Sequence, residues 1–174
     1  MTYPGFSIVS SIAILLMASC SLSPSEVPQP EAPATYELSV EDQRAFLSLV
    51  NDLRNSGCRC GNRYMPPVPD LQLHESLVKG ADIHAQDMQR NTHFDHRGTD
   101  GSRVGERLSR LGYNWRAAGE NIALGYGSVP GVFAGWRDSA GHCENMMSRD
   151  FTQLGVARRG NYWVNTLARP RSGG

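Results

Sequence analysis

The chain has 174 residues, of which 17 are basic and 17 acidic, so its formal net charge at pH 7 is zero. Lys79 is the single lysine. This balance gives no field of one sign that would favour nucleic acid or acidic lipid, so we expect no nucleic acid as a partner. The length fits one folded domain.

The first twenty residues have the layout of an export signal. An apolar run from Ile12 to Met17 is followed by small residues and Cys20, and the run is too short to span a bilayer. The end of this segment, "MASC", resembles a bacterial lipobox, in which the cysteine is acylated and becomes the new N-terminus. We predict a lipoprotein-type signal peptide over residues 1–19 and lipidation at Cys20, with ordinary cleaved secretion as the alternative.

A proline-rich stretch follows the cysteine. Residues 20–38 hold four prolines and few large apolar side chains, which predicts an extended tether. The protein is then expected in the bacterial cell envelope, bound to a membrane through lipidated Cys20. Because Ser21 rather than aspartate follows the cysteine, the outer membrane is favoured if the cell has two membranes.

The folded domain is predicted over residues 39–170, with a short tail at 171–174. Ser39 is a plausible N-cap with Asp42 in the capping-box position. Apolar residues at helical spacing then predict a first helix that ends near Gly57. The next stretch, "GCRCGNRYMPPVPD", is predicted to be a loop because its glycines and prolines break regular structure.

A second amphipathic helix is predicted from His74 to about Arg90, with His84 on its apolar side as a hydrogen-bonded core histidine. A short third helix carries Val104, Leu108 and Leu111, and a fourth turns Val132, Phe133 and Trp136 inward. Two β-rich runs around Gly160-Asn161 predict a hairpin. Helices early and antiparallel strands late indicate an α+β layered domain.

Three short motifs carry residues that can do chemistry: "HFDH" (93–96), "GENI" (119–122) and "GHCEN" (141–145). They hold three of the five histidines. Imidazole beside carboxylate can bind a divalent metal or exchange protons near neutral pH. "HFDH" alone lacks the spacing of a zincin, and Ser139 in "DSAG" lacks the strand-turn-helix elbow of a serine hydrolase.

The order and spacing of these motifs, together with "GWRDSAGHCENMM" and "DFTQLGVARRGNYWVNTLAR", resemble the bacterial branch of the CAP superfamily of cysteine-rich secretory, antigen 5 and pathogenesis-related proteins. The resemblance implies an α-β-α sandwich with a central antiparallel sheet and a surface cleft. His96 and Glu120 match the cleft histidine and the GEN glutamate of the family. They are also the candidate catalytic residues, because an imidazole and a carboxylate can orient or activate water.

This sequence also differs from the family pattern at two positions. Ser139 stands where a second glutamate is expected and Asp150 where a second histidine is expected, while His142 can replace the missing imidazole. The predicted cleft set is therefore His96, Glu120, His142, Ser139 and Asn145, with His93 at its edge. His96, Glu120 and His142 are also the candidate ligands of a divalent metal such as zinc.

These residues are expected to converge although they are distant in sequence. We predict that "GENI" runs into a strand from Ala123 to Tyr126, which places Glu120 at the mouth of the strand. "GHCEN" is expected to begin a short helical turn, with Asn145 fixing the backbone by hydrogen bonds. A separation of His96 and Glu120 greater than about 10 Å would exclude a single cleft.

Two functions remain open. The cleft can belong to a binding module for an envelope component, lipid or peptide, which the resemblance favours. It can also belong to a metal-assisted hydrolase in which His96 or Glu120 activates water.

With Cys20 assigned to lipid, three cysteines remain, and cysteines of exported proteins tend to pair. Cys58 and Cys60 are separated by one residue, so a bond between them would close a very tight ring. We predict a disulfide between Cys60 and Cys143, with Cys58 to Cys143 as the alternative. A zinc site built from all three thiolates is a further alternative.

Overall fold

The computed structural model describes residues 37–171 together with Met1. Residues 2–19 of the predicted signal peptide, the lipidation site Cys20, the tether up to residue 36 and residues 172–174 of the predicted tail lie outside the described residues. In the part of the chain that the structure describes, we find no helix with the length and hydropathy that a membrane span requires.

The described chain has five helices and six strands. The helices are α1 (Val40–Ser56), α2 (Glu75–Asn91), α3 (Val104–Arg110), α4 (Val129–Asp138) and α5 (Ala140–Met146). The strands are β1 (Cys58–Cys60), β2 (Arg63–Met65), β3 (Gln72–Leu73), β4 (Trp115–Leu124), β5 (Gln153–Arg159) and β6 (Tyr162–Pro170). The main sheet has the order β3-β5-β6-β4, which makes β4 an edge strand.

Helices cover both faces of this sheet. On one face, α1 and α4 pack against sheet residues through an apolar cluster that includes Phe46, Trp136, Leu154 and Trp163. On the other face, Ala81, Ala85 and Met88 of α2 pack on Ile122 and Val164. The predicted α-β-α sandwich is confirmed, and the sheet is antiparallel except that β3 pairs with β5 in parallel.

The local signals at the start of the domain are confirmed. The Ser39 hydroxyl accepts a hydrogen bond from the Asp42 amide (3.0 Å), and the Asp42 carboxylate accepts one from the Ser39 amide (3.1 Å). This is the predicted capping box. Gly57, with φ of 67°, ends α1, since a positive φ suits glycine.

The segment predicted as a loop after α1 contains a small antiparallel hairpin, so that prediction was wrong in part. β1 and β2 pair around a turn at Gly61, whose φ is 57°. Glycine permits this turn without steric cost. The irregular chain begins only after Met65, where the prolines remove backbone donors.

The strand that carries "GENI" also differs from its prediction. β4 begins at Trp115 and ends at Leu124, instead of running from Ala123 to Tyr126. Residues 117–119 are alanine, alanine and glycine, which have weak strand preference, and their pairing with β6 makes the strand. Gly125, with φ of 89°, ends it. Glu120 therefore lies within the strand and not at its mouth.

The remaining elements agree with the sequence. His74 caps α2 by accepting a hydrogen bond from the Ser76 amide at 3.2 Å. Val132, Phe133 and Trp136 are buried on α4. Gly160 forms the turn between β5 and β6 with a φ of 56°, and "GHCEN" lies in α5.

Candidate functional site

The candidate site is built around Glu120 on the edge strand β4. Side chains alternate along a strand, so Glu120 and Ile122 both point toward the face of the sheet that α2 and α3 cover. The Glu120 side chain is only 3% exposed. A carboxylate buried to this degree needs partners for its charge.

Both carboxylate oxygens of Glu120 have such partners. His96 donates a hydrogen bond through Nδ1 to Oε1 at 2.9 Å, and Arg107 donates through Nη2 to Oε2 at 2.6 Å. The Arg107 side chain is also buried. The two charges therefore compensate each other, and the carboxylate holds the imidazole of His96 in one orientation.

Arg107 is a part of the site that the sequence analysis missed. It lies on the short helix α3 beside the buried Leu108, and its Nη1 also donates to the Ser102 carbonyl at 2.8 Å. A longer contact of 3.4 Å joins it to the carbonyl of His96. In the sequence, Arg107 is an arginine next to an apolar position of an amphipathic helix. Many surface arginines have the same pattern, so it does not identify a buried one.

His84 is fully buried and lies next to Glu120. Its Nε2 donates to the Asp95 carbonyl at 2.9 Å and lies 3.7 Å from Glu120 Oε1. Burial lowers the pKa of His84, and its Nδ1 has no hydrogen-bond partner in the described part of the chain. The prediction of a hydrogen-bonded core histidine is confirmed, although the ring also lies against the site.

His96 faces the solvent with 52% of its side chain exposed. The hydrogen bond from His96 to Glu120 raises the pKa of His96, against the opposing effect of partial burial. Glu120 occupies Nδ1, so Nε2 is the nitrogen left for an external partner. His93 lies at the edge of this loop, where its Nε2 donates to the Arg97 carbonyl at 2.8 Å.

The third motif approaches β4 from the opposite face of the sheet. Asn121 donates to the His142 carbonyl at 3.2 Å, and Asn145 donates to the Glu120 carbonyl at 3.3 Å and to Asn121 Oδ1 at 2.9 Å. Burial and the charge of His96 lower the pKa of His142. The site thus straddles the edge strand, with Glu120 and His96 on one side and α5 on the other.

Two positions that depart from the family pattern, Ser139 of the predicted set and Asp150, are more peripheral. Ser139 lies at the junction of α4 and α5, where its carbonyl accepts a hydrogen bond from the Cys143 amide at 2.9 Å. Asp150 is exposed in the turn before β5. Asn145 joins α5 to β4, which is a longer-range role than the local one predicted for it.

A cavity of about 250 Å³ opens beside the pair and is lined by His96, Arg103, Val104 and Glu120. Larger grooves exist elsewhere, including one of about 630 Å³ between the start of α4 and α1, but its lining holds no histidine. We place the site at the smaller cavity because a buried charge and an oriented imidazole meet there.

The donor set at the cleft suits a metal ion only in part. Both oxygens of Glu120 already accept hydrogen bonds from His96 and Arg107, so only His96 and His142 are left of the three predicted ligands. Catalytic zinc usually has three protein ligands. Within the described residues, the group of three or more ligand atoms close to one another is the cysteine set Cys58, Cys60 and Cys143.

The cysteines lie next to the α5 side of the site. Cys60 and Cys143 form a disulfide with a Cα–Cα distance of 5.4 Å. Cys58 is a free thiol, 3.6 Å from Cys143 Sγ and 3.7 Å from Cys60 Sγ, and burial raises its pKa. The structure therefore has the first of the two predicted pairings.

Residues 47–164 match the model of the CAP family, the cysteine-rich secretory protein family. This match covers both sides of the cleft and most of the sheet. The chain belongs to the CAP family. The family resemblance seen in the sequence motifs is thereby confirmed, and so is the α+β fold expected from it.

Two proteins of Bacillus subtilis are among the relatives. The Bacillus subtilis (strain 168) protein YkwD, described as uncharacterized, is 34% identical over 142 residues, which are 77% of this chain and 53% of YkwD. The uncharacterized membrane protein YlbC of the same strain is 31% identical over 97 residues, or 56% of this chain and 28% of YlbC. The chain thus spans about half or less of the length of these relatives.

Solved structures share the fold. An extracellular protein containing a SCP domain from Bacillus anthracis str. Ames superposes with a TM-score of 0.65 at 27% identity, covering 74% of this chain and 40% of that one. An outer surface protein from Borrelia burgdorferi gives a TM-score of 0.66 at 19% identity, covering 79% of this chain and 99% of that one. The fold of this CAP domain is therefore shared with an extracellular protein and with an outer surface protein.

Proposed function

We propose that the cleft of this CAP protein binds an extended, carboxylate-bearing peptide of the cell envelope. The observation that carries the proposal is the pairing of Glu120 with both Arg107 and His96. Because Arg107 compensates the buried carboxylate, the groups that face an incoming ligand are the outer nitrogen of His96 and the side chain of Arg103. A protonated imidazole and a guanidinium are donors for a carboxylate.

The open edge of β4 supports a peptide as the ligand. The Ala168 carbonyl accepts a hydrogen bond from the Thr152 amide at 3.0 Å, so Ala168, Thr166 and Val164 of β6 direct their backbone groups to β5. Their partners on β4, which are Ala118, Glu120 and Ile122, therefore direct their amides and carbonyls to the outer edge.

Side chains cover only part of this edge. The Ile122 carbonyl accepts from Trp136 Nε1 at 3.2 Å and the Glu120 carbonyl from Asn145 at 3.3 Å. Within residues 37–171, the backbone of Ala118 has no such side-chain partner, and Ala118 is partly exposed. An extended peptide can add to an unpaired edge of this kind through main-chain hydrogen bonds.

Equilibrium binding tests this proposal with soluble peptides released from cell wall as the probe. His96→Ala should weaken binding about tenfold or more, because a hydrogen bond to a charged group contributes roughly 1.5–3 kcal/mol. His93→Ala is the matched control and should bind like the wild type, since His93 bonds to Arg97 outside the cavity. Equal affinity in His96→Ala, or binding to phospholipid vesicles in place of peptides, would reject the proposal.

The second candidate function is hydrolysis, and the His96–Glu120 hydrogen bond of 2.9 Å favours it. A carboxylate that orients an imidazole is the arrangement of a general base, in which Nε2 can accept a proton from water. A broad hydrolase screen joined to elemental analysis tests it. Activity that is lost in both His96→Ala and Glu120→Ala, with the fold intact, would replace binding by catalysis.

We also propose that Cys20 anchors the protein in a membrane, with the outer membrane favoured in a cell that has two. The "MASC" sequence and the proline-rich tether support this, and multiple acyl chains hold a protein firmly at a bilayer. Metabolic labelling with a palmitate analogue should mark the wild type and leave Cys20→Ala unlabelled. Equal labelling of the two would reject the anchor.

A further inference from the structure

Three sulfur atoms lie in contact between β1 and α5. The Sγ atom of Cys58 is 3.7 Å from that of Cys60 and 3.6 Å from that of Cys143. Cys60 and Cys143 are buried and Cys58 is half-buried, within an apolar cluster that includes Val68 and Met147. The disulfide uses two of these sulfurs and leaves the third without a covalent partner.

The distances from the Cys58 sulfur to the other two sulfurs suit a metal centre. Zinc binds thiolates at about 2.3 Å in a tetrahedron, which places neighbouring sulfurs about 3.8 Å apart. The two distances from Cys58 already approach this value. When the disulfide is reduced, the Sγ atoms of Cys60 and Cys143 must move apart from bonding distance to about 3.8 Å. The Cα–Cα distance of 5.4 Å between these two residues leaves room for this movement.

We propose that Cys58, Cys60 and Cys143 form a trithiolate site for a thiophilic divalent cation such as Zn²⁺ when the disulfide is reduced. A dithiol reductant donates two electrons and two protons to the Sγ–Sγ bond, which breaks to give two thiols while the reductant becomes a disulfide. The cation then displaces the thiol protons. The disulfide and the thiolate site predicted from the sequence are two oxidation states of one cluster.

The three cysteines join β1 to α5 in both the oxidised and the reduced, metal-bound state. β1 follows α1 in the chain, and α5 carries both Cys143 and the predicted cleft residue His142. In the oxidised state a covalent bond joins the two elements, and in the reduced state the cation joins them. The α5 side of the cleft is therefore held in place in either state.

Zinc binding and thermal unfolding of the protein, oxidised and reduced, test the inference. Zinc should raise the melting temperature of the reduced protein, because a ligand of the folded state stabilises it, and one equivalent should remain bound after dialysis. The oxidised protein should show neither effect. In reduced Cys58→Ser the shift should disappear, while the oxidised form of this variant keeps its disulfide and reports that the fold is intact.

Two kinds of result, one in thermal unfolding and one in zinc retention, would overturn the proposal. The first is an unchanged melting temperature in reduced wild type, or an equal rise in reduced Cys58→Ser. The second is zinc that is lost in His96→Ala but kept in Cys58→Ser, which would place the ion at the cleft. The peptide-binding proposal is measured on the oxidised protein without metal, so the failure of one does not decide the other.

Discussion

The pairing of Glu120 with Arg107 should matter for stability as well as for binding. Glu120→Gln removes the negative charge and leaves a buried guanidinium without compensation. Breaking a buried ion pair costs about 3–5 kcal/mol of the free energy of unfolding. Denaturant unfolding monitored by circular dichroism measures this change.

Glu144→Gln provides the matched control for that substitution. Glu144 lies 3.7 Å from Arg63, and the two side chains are 40% and 68% exposed. Exposed pairs of this kind contribute at most about 1 kcal/mol. Similar losses in the two variants would contradict a special role of the buried pair.

The histidines of the site should give stability a pH dependence with two opposite signs. Burial lowers the pKa of His84, so below about pH 6.5 the unfolded chain binds more protons than the folded one. The free energy of unfolding then falls as the pH falls. The pKa of His96 is raised, so its stabilisation is present below about pH 6.5 and is lost as the pH rises through the folded pKa.

Urea unfolding of wild type and His84→Gln between about pH 5 and pH 8 checks these signs. The acid-side slope should become smaller in His84→Gln, with a remainder from His142, whose pKa is also lowered. The slope above about pH 6.5 should persist because His96 is still present. An unchanged acid-side slope in His84→Gln would show that His84 is not the group that titrates.

The packing of α2 on β5 depends on a glycine. A Cβ atom added at Gly155 would lie 2.1 Å from the backbone nitrogen of Val78, and a helix backbone cannot yield as a side chain can. Gly155→Ala should therefore destabilise the fold by about 1–3 kcal/mol or more. Thermal unfolding measures the loss.

Gly141→Ala is the control for that effect, since no atom lies within 4 Å of its added Cβ. Gly141 is also in the helix α5, where alanine is favoured over glycine by up to about 1 kcal/mol. This variant should be neutral or slightly more stable. A loss in Gly141→Ala as large as in Gly155→Ala would contradict the close approach of α2 and β5.

The elements that the sequence predicted well are those with local signals. The capping box at Ser39, the apolar side of α2 and the turn at Gly160 each depend on residues a few positions apart. β4 was placed too late because "RAAG" lacks strand preference, and its strand conformation comes from pairing with the distant β6. Non-local pairing of this kind leaves no mark in a short window of sequence.

In the cleft, too, the sequence predicted what depends on local motifs and missed what depends on contacts between distant elements. The motifs around His96, Glu120 and His142 identified which residues to consider, and the resemblance to a family joined them. Arg107 was missed because its role depends on a contact with Glu120 across two elements. The covering of the β4 edge by Trp136 and Asn145 likewise follows only from the packing of α4 and α5.

At the scale of the whole molecule, the proposed cleft of this CAP domain follows the open edge of β4. Nuclear magnetic resonance of the domain during addition of soluble cell-wall peptides observes this edge directly. The amides of Ala118 and Glu120 and the ring of His96 should shift together and saturate together, because one bound strand contacts all three. Shifts confined to other surfaces, or none at these groups while peptide binds, would contradict the assignment of the cleft.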